Sequence, residues 1–273
     1  MSEAPVDIIT RRSYDPHYFA PLFAAEDRHF WFRARNRLIA RLATQITSRL
    51  PSGYRVLEVG CGTGNVLRVL EAICDRGVVV GMDLFVEGLR YARFRTCCPL
   101  VQGDMHKPPF GATFDVIGLF DVLEHLPNDI QVLRDLHAML APGGALLLTV
   151  PAHASLWSYF DEASHHCRRY EADELRHKLE DVGFRVEYLT QFMAPLFPMI
   201  WLGRRVAQLL NRRMGARPST ADAMAINELR IVPIVNNWLY WLLRQEDRLI
   251  GRRKHLPIGT SLLAIAYKTD PHA

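Results

Sequence analysis

Short apolar runs, each closed by a polar, glycine or proline residue, alternate along the first two thirds of the chain with stretches of helical spacing. The runs fall at 56–59, 77–83, 100–104, 114–120 and 143–150 and read as buried strands, because they are nearly continuous in Val, Leu and Ile. The intervening stretches carry apolar residues three and four apart and read as helices: residues 15–50 with Leu38, Leu42 and Ile46, then 65–72, then 172–181. Pro51-Ser-Gly53 stops the first helix and Gly183 the last. Strand, helix, strand in regular alternation predicts an α/β fold with a parallel, doubly wound sheet. Two further strands follow at 185–192 and 260–268, and residues 193–258 come between them. That interval predicts two helical pieces, 195–213 and 228–250, joined by a loop with Gly215, Pro218 and Ser219.

The first strand runs into Glu58-Val-Gly60-Cys61-Gly62-Thr-Gly64. Alternate glycines in a strand-to-helix turn let the backbone take positive φ and approach a ligand closely. Asp83 ends the second strand, where a carboxylate is placed to accept ribose hydroxyls, and Asp104 ends the third beside the apolar Met105. In a doubly wound sheet ligands sit beyond the carboxyl ends of the strands, so the three strand ends point to one nucleotide-like ligand.

The glycine turn, Asp83, Gly103-Asp104-Met105, Asp121-Val-Leu-Glu124-His125 and the Pro142-Gly143-Gly144 turn together resemble the class I S-adenosylmethionine-dependent methyltransferases. The resemblance covers residues 52–192 and returns at 259–270. It implies a Rossmann-like sheet of seven strands with the last antiparallel, an N-terminal helical cap over 1–51, and 193–258 as a helical insertion. It also implies S-adenosylmethionine as cofactor. Gly60, Gly62 and Gly64 would border its methionine part, with Glu58, Cys61 and Leu84 flanking. Asp83 would hold the ribose, Asp104 the adenine amino group, Met105 the adenine ring, and Phe120 would lie beside the sulfonium.

Composition narrows the class further. Hydrophobic residues at 49% with 23% charged exclude a disordered or fibrous chain. Cys61, Cys74, Cys97, Cys98 and Cys167 form no CxxC pair and no zinc spacing, which predicts a reduced, cytoplasmic setting. Residues 1–13 read as disordered and lack the basic and apolar segments of a signal peptide. The net charge of +4 is unevenly spread. Residues 191–258 hold 11 Lys/Arg against 4 Asp/Glu, and the remainder holds 22 against 25. A basic excess confined to one segment predicts an anionic partner there.

Several residues outside the glycine turn are candidates for chemistry. Trp31 and Phe32 could present a ring face to the cationic sulfonium and Arg35 could reach the cofactor carboxylate; equally, Phe30 and Trp31 could anchor the helix on the sheet. His125 lies just past the fourth strand and His166 in the loop after the fifth. An imidazole is the side-chain type suited to act as general base for a hydroxyl at neutral pH, although His125 could equally cap its loop. Arg168, Arg169 and Tyr170 beside His166 suit an anionic acceptor, or the arginines pair with Asp161, Glu162 or Asp173. A subset of ubiquinone-type O-methyltransferases holds a divalent metal with an ExxEH stretch. Here Asp121 replaces the first glutamate, so no metal is expected.

The apolar and basic insertion has three readings: a roof on the acceptor pocket, a homodimer interface, or a face lying on the inner membrane surface. These fit methyl transfer to a small-molecule acceptor, lipid-linked or saccharide, with oxygen favoured. The competing functions each lack a feature. A nicotinamide dehydrogenase would show GxGxxG and a Tyr-x-x-x-Lys pair. A nucleic-acid methyltransferase of the adenine type would show Asn/Asp-Pro-Pro-Tyr on the fourth strand, so no nucleic-acid partner is expected. A non-catalytic cofactor-binding protein stays open.

Overall fold

The computed structural model describes residues 14–111, 113–214 and 229–269. The expectation of disorder over 1–13 and the loop at Gly215, Pro218 and Ser219 fall outside these residues.

The five early apolar runs become β1 (Arg55–Val59), β2 (Val78–Asp83), β3 (Leu100–Gln102), β4 (Phe114–Phe120) and β5 (Leu140–Pro151). With β6 (Phe184–Phe192) and β7 (Ser261–Lys268) they form one sheet in the order β3-β2-β1-β4-β5-β7-β6. β1 to β5 pair in parallel, and β7 runs antiparallel to both β5 and β6. The expected seven-stranded sheet with its antiparallel last strand is present. β5 begins before the Pro-Gly-Gly turn, three residues ahead of the expected start, and the β4–β5 register shifts between Phe114 and Val116.

Side chains alternate between the two faces of the sheet, as the two-residue strand period requires. On β5 and β7, Leu147, Leu263 and Ile265 pack toward α2 (Phe30–Thr47) and α3 (Leu67–Ile73), whose Leu38, Ile39, Leu42 and Leu67 are buried there. Leu146, Leu148 and Leu262 pack on the other face, against Leu133 and Leu136 of α5 (Asp129–Met139) and Leu175 and Leu179 of α7 (Ala172–Asp181). The order is thus helix layer, sheet, helix layer. α4 (Val86–Ala92) and α6 (Tyr159–Ala163) complete the early part.

Two departures from the sequence pattern have local causes. The single helix expected over 15–50 is a 3-10 turn at Pro16–Tyr18, then α1 (Phe19–Ala25), then α2. The break at 26–29 is held by Glu26, which accepts from Thr63 Oγ1 at 2.5 Å and pairs with Arg95. Asn65 stays outside α3 because its side chain is engaged: Asn36 Nδ2 donates to its Oδ1 at 2.6 Å, and its own Nδ2 donates to Asp27 at 3.2 Å. Those bonds tie the segment before α2 to the glycine turn.

The interval between β6 and β7 holds α8 (Phe197–Met214) and α9 (Pro233–Ile250). Glu228, the expected start of the second helix, lies outside the described residues. α9 packs along α2, burying Leu239, Leu243 and Ile250. Its Asp247 is clamped by Arg37 at 2.8 Å and Arg41 at 2.7 Å, and its Asn236 accepts from Phe30 N–H at 2.7 Å. The N-terminal helix and the insertion, the two elements outside the sheet core, therefore brace each other. Among the described residues no helix is long and apolar enough to cross a membrane.

Candidate active site

A cavity of about 1230 Å³ opens beyond the carboxyl ends of β1, β2 and β4. Its floor is the glycine turn. Gly60 and Cys61 N–H groups both donate to Met82 O, at 2.8 and 3.1 Å, which folds the turn back onto β2. Gly60, Gly62 and Gly64 all have positive φ. Gly60, Cys61 and Gly62 line the cavity together with Glu58, Asp83, Leu84, Asp104, Met105 and Phe120, so nine of the ten residues expected around the cofactor share one wall. Gly64 does not line it. A Cβ there would stand 2.9 Å from the Ala92 backbone, so this glycine serves the packing of the turn on α4.

Asp83 is pinned by the same turn: its Oδ2 accepts Gly62 N–H at 2.7 Å and its Oδ1 accepts Phe85 N–H at 2.8 Å. Burial pushes its pKa up to about 6 against those hydrogen bonds. Glu58 is 3% exposed, its Oε2 has no hydrogen-bond partner, and burial raises its pKa well above the usual range. Asp104 Oδ1 accepts from His106 N–H at 2.9 Å. Buried acceptors at the ends of β1 and β2, a glycine floor and the apolar Met105 suit a cofactor with a ribose, an apolar base and a cationic centre.

The second wall comes from α2. Arg35 is 7% exposed and its Nη1 lies 2.5 Å from Asp121 Oδ2 at the end of β4. Its guanidinium also sits over the rings of Trp31 at 4.8 Å and Phe32 at 5.5 Å. The cation that meets these aromatic rings is thus Arg35, and its salt bridge is to Asp121. All four residues border the cavity.

At the far edge, the loop after β5 returns over the end of β4. Cys167 N–H donates to Glu124 O at 2.7 Å, which sets His166 against His125, their ring centroids 4.6 Å apart. His166 Nδ1 lies 3.0 Å from Asp161 Oδ1, and its Nε2 is 4.0 Å from Glu124 Oε1. Asp161 is fully buried and also accepts from Arg169 Nε at 2.7 Å. Burial pushes the Asp161 carboxyl up, but the bonds from His166 and Arg169 outweigh it and hold the pKa at about 2. Glu124 is the opposite case, raised by burial and by Asp121.

Arg168 and Tyr170 do not reach the cavity. Tyr170 is fully buried with its hydroxyl 2.9 Å from Asp129, and Arg168 pairs with the same carboxylate at 2.8 Å. As acceptor-binding residues both are corrected: they hold the loop from behind. Of the three, Arg169 alone borders the cavity, and its side chain is engaged by Asp161 and Ala152 O. Asp161 appeared in the sequence only as an ion-pair partner. Its signal was an acid five residues before His166, inside a Ser-x-x-Asp capping pattern.

Among the described residues, Glu124, His125 and His166 each place one ligand atom within 4.8 Å of the others. His166 is the third member of this cluster, and Asp121, the first position of the ExxEH-like stretch, is paired with Arg35.

The fold and this cavity define a doubly wound protein that binds a nucleoside cofactor at its strand ends. Residues 23–189 match the family model described as "Methyltransferase domain", and the chain belongs to that family of S-adenosylmethionine-dependent methyltransferases. Its cofactor is S-adenosylmethionine. It is 30% identical over 165 residues to a probable S-adenosylmethionine-dependent methyltransferase of Mycolicibacterium smegmatis, covering 59% of this chain and 62% of that one. It is 30% identical over 177 residues to a malonyl-[acyl-carrier protein] O-methyltransferase of Enterobacter lignolyticus, covering 61% and 68%. The matches thus span under two thirds of the length of the mycobacterial relatives. A phosphoethanolamine N-methyltransferase of Haemonchus contortus, solved with S-adenosylhomocysteine, shares the fold with a TM-score of 0.53 at 18% identity, over 86% of this chain and 53% of that one.

Proposed function

We propose that this chain transfers a methyl group to a hydroxyl oxygen of a small-molecule acceptor, carried on a lipid or a saccharide. The observation that carries the proposal is the buried Asp161–His166 pair at the cavity edge. An ionised Asp161 keeps the imidazole proton on Nδ1, so the lone pair sits on Nε2, the nitrogen on the side of Glu124. Bound S-adenosylmethionine supplies an electrophilic methyl group. His166 Nε2 would take the acceptor's hydroxyl proton as the oxygen bonds the methyl carbon and the methyl–sulfur bond breaks to leave S-adenosylhomocysteine, and Asp161 would stabilise the resulting imidazolium. Glu124, its carboxyl pushed toward the neutral form, adds no competing charge. His125 packs edge-on between His166 and Tyr14 and shapes the same edge.

Oxygen as the accepting atom is supported by this base and by relatives named O-methyltransferases. The volume of the cavity exceeds the roughly 300–1,000 Å³ usual for one ligand, which leaves room for an acceptor beside the cofactor. Leu196, Ile200 and Arg204 of the insertion, with Leu229, form part of its wall, so the insertion acts as a roof over the acceptor. A cytoplasmic protein resting on the inner membrane face would meet a lipid-linked acceptor there. The test is transfer of labelled methyl from S-adenosylmethionine into lipid and aqueous fractions of a host extract. Label in the organic phase supports the lipid-linked acceptor, label in the aqueous phase a soluble one, and transfer that survives His166→Gln at the wild-type rate overturns the base.

A second reading is favoured by the clustered ligand atoms of Glu124, His125 and His166. These could hold a divalent cation that lowers the acceptor hydroxyl's pKa. Loss of transfer on chelation, restored by added cation, would replace the imidazole base with this reading.

A further inference from the structure

The outward side of α9 is built unlike a solvated helix. Its buried side carries Asn236, Leu239, Leu243, Glu246, Asp247 and Ile250. Opposite, at helical spacing, Ile234 is 85% exposed, Trp238 53% and Trp241 57%. Large apolar residues clustered on one solvent face mark an interaction surface. The charges around them have one sign. Among the described residues of the insertion the only acids are Glu246 and Asp247, both buried and bonded inward. Arg205, Arg230, Arg244, Arg248, Arg252 and Lys254 are exposed.

Trp241 also borders a niche of about 140 Å³ lined by Arg37, Arg244, Gln245, Asp247 and Arg248. Three guanidinium groups meet there with one carboxylate, and that carboxylate is already held by Arg37 and Arg41. The niche is therefore net cationic and of a size for a tetrahedral anion.

We infer that α9 docks the protein on an anionic phospholipid surface, with Ile234, Trp238 and Trp241 at the headgroup boundary and a headgroup phosphate in the Arg37–Arg244–Arg248 niche. Aromatic residues flanked by arginine are the composition that lies at such a boundary. The apolar residues and the basic residues each need a partner, and an anionic bilayer satisfies both. A second copy of this chain would set arginine against arginine around the same residues. A nucleic acid would leave Ile234, Trp238 and Trp241 against water or phosphate. The inference deepens the lipid-linked reading of the acceptor and rests on it only for its purpose: the insertion that carries α9 also supplies Ile200, Arg204 and Leu229 to the cavity wall.

The test is co-sedimentation of the full chain with vesicles of phosphatidylcholine alone and of phosphatidylcholine with phosphatidylglycerol. Binding is expected to the phosphatidylglycerol vesicles, weakening with added salt, and accompanied by a blue shift of tryptophan emission. The double variant Trp238→Ser/Trp241→Ser and, separately, Arg244→Gln/Arg248→Gln should each weaken binding by about tenfold or more. S-adenosylhomocysteine affinity measured on the same samples should not change, which shows the variants fold. Equal binding to both vesicle types, no binding, or variants that bind like wild type would overturn the inference. So would a concentration-dependent dimer, or DNA retention, lost in the tryptophan variant. Vesicle binding without methyl transfer to lipid would remove the lipid-linked acceptor and leave the docking face in place.

Discussion

Arg35 Nη1 stands 2.5 Å from Asp121 Oδ2, joining the N-terminal helix α2 to the end of the central strand β4 across 86 residues of sequence. The guanidinium also faces Trp31 and Phe32, and its charge favours the ionised form of the nearby Glu58. Arg35→Met removes the cation and leaves two carboxylates at the cavity wall without it. Breaking a buried pair from one side is the costly change, so a loss of about 3 kcal/mol is expected in chemical denaturation. Adding Asp121→Asn to it should recover part of that loss. A double variant no more stable than Arg35→Met would show that Arg35 acts through packing alone.

Asp161 gives a pH signature with a definite sign. Its carboxyl is lowered from 3.8 to about 2 in the folded chain. The stability it adds is present above pH 3.8 and is lost as the pH falls toward 2, an amount of about 2 kcal/mol. Asp161→Asn should therefore be less stable than wild type at neutral pH, with the gap closing in acid below the carboxyl's folded pKa. A gap independent of pH would mean that the carboxyl is not ionised against His166 and Arg169.

The fold was legible because its signals are local: apolar strands of four to nine residues, glycine stops, and acids at strand ends. The cofactor wall followed, since a glycine turn and the strand ends that face it need only the strand order. The acceptor edge was harder to read. His166 was identifiable as an imidazole in a ligand-edge loop, but its partner depends on a helix of one turn and a half and on the Cys167–Glu124 backbone bond. Arg168 has the same chemistry in the sequence as Arg169, and only the packing of Asp129 behind the loop, where it also takes the Tyr170 hydroxyl, separates them. The break between α1 and α2 was hidden for a like reason: Glu26 is drawn to Thr63 and Arg95, residues far along the chain.

Glu246 makes the opposite prediction to Asp161. Burial raises its pKa from 4.5 to about 7, although it accepts Met193 N–H at 2.8 Å. Below pH 4.5 it is protonated in both folded and unfolded chains. Between 4.5 and 7 the unfolded chain alone releases the proton, so this residue's contribution to stability falls as the pH rises through that window. Glu246→Gln keeps an oxygen for the Met193 amide and removes the titration. The variant should gain about 2–3 kcal/mol over wild type at pH 8 and nothing at pH 4. Thermal melts across that range would show a parallel pH dependence in both proteins if Glu246 were freely solvated.

The glycines of the turn separate conformational need from space. Gly64→Ala meets both a positive φ of +76° and the Ala92 backbone at 2.9 Å. It should cost about 2–3 kcal/mol, because neither strain nor overlap can relax. Gly62→Ala has φ +49° and only Phe19 Cε1 at 3.7 Å, so it should cost about 1 kcal/mol. Urea denaturation of the two variants measures the difference. Equal losses would place the whole effect in φ.

Asp83 connects the cofactor to pH. As a carboxylate it can accept ribose hydroxyls while holding the amides of Gly62 and Phe85. Its raised pKa of about 6 means that the uncomplexed protein carries it half protonated at mildly acidic pH. S-adenosylhomocysteine affinity should therefore weaken as the pH falls from 7 to 5, since binding must first remove that proton. Asp83→Ala should weaken the affinity by about 100-fold through the loss of two charge-assisted bonds. It should also make the remaining affinity independent of pH across this window, with the protein still folded. Calorimetry at pH 5, 6 and 7 on both proteins decides the point. An unchanged affinity in the variant would remove Asp83 from the ribose site, and a pH dependence that persists in it would move the titrating group to Glu58 on the same wall.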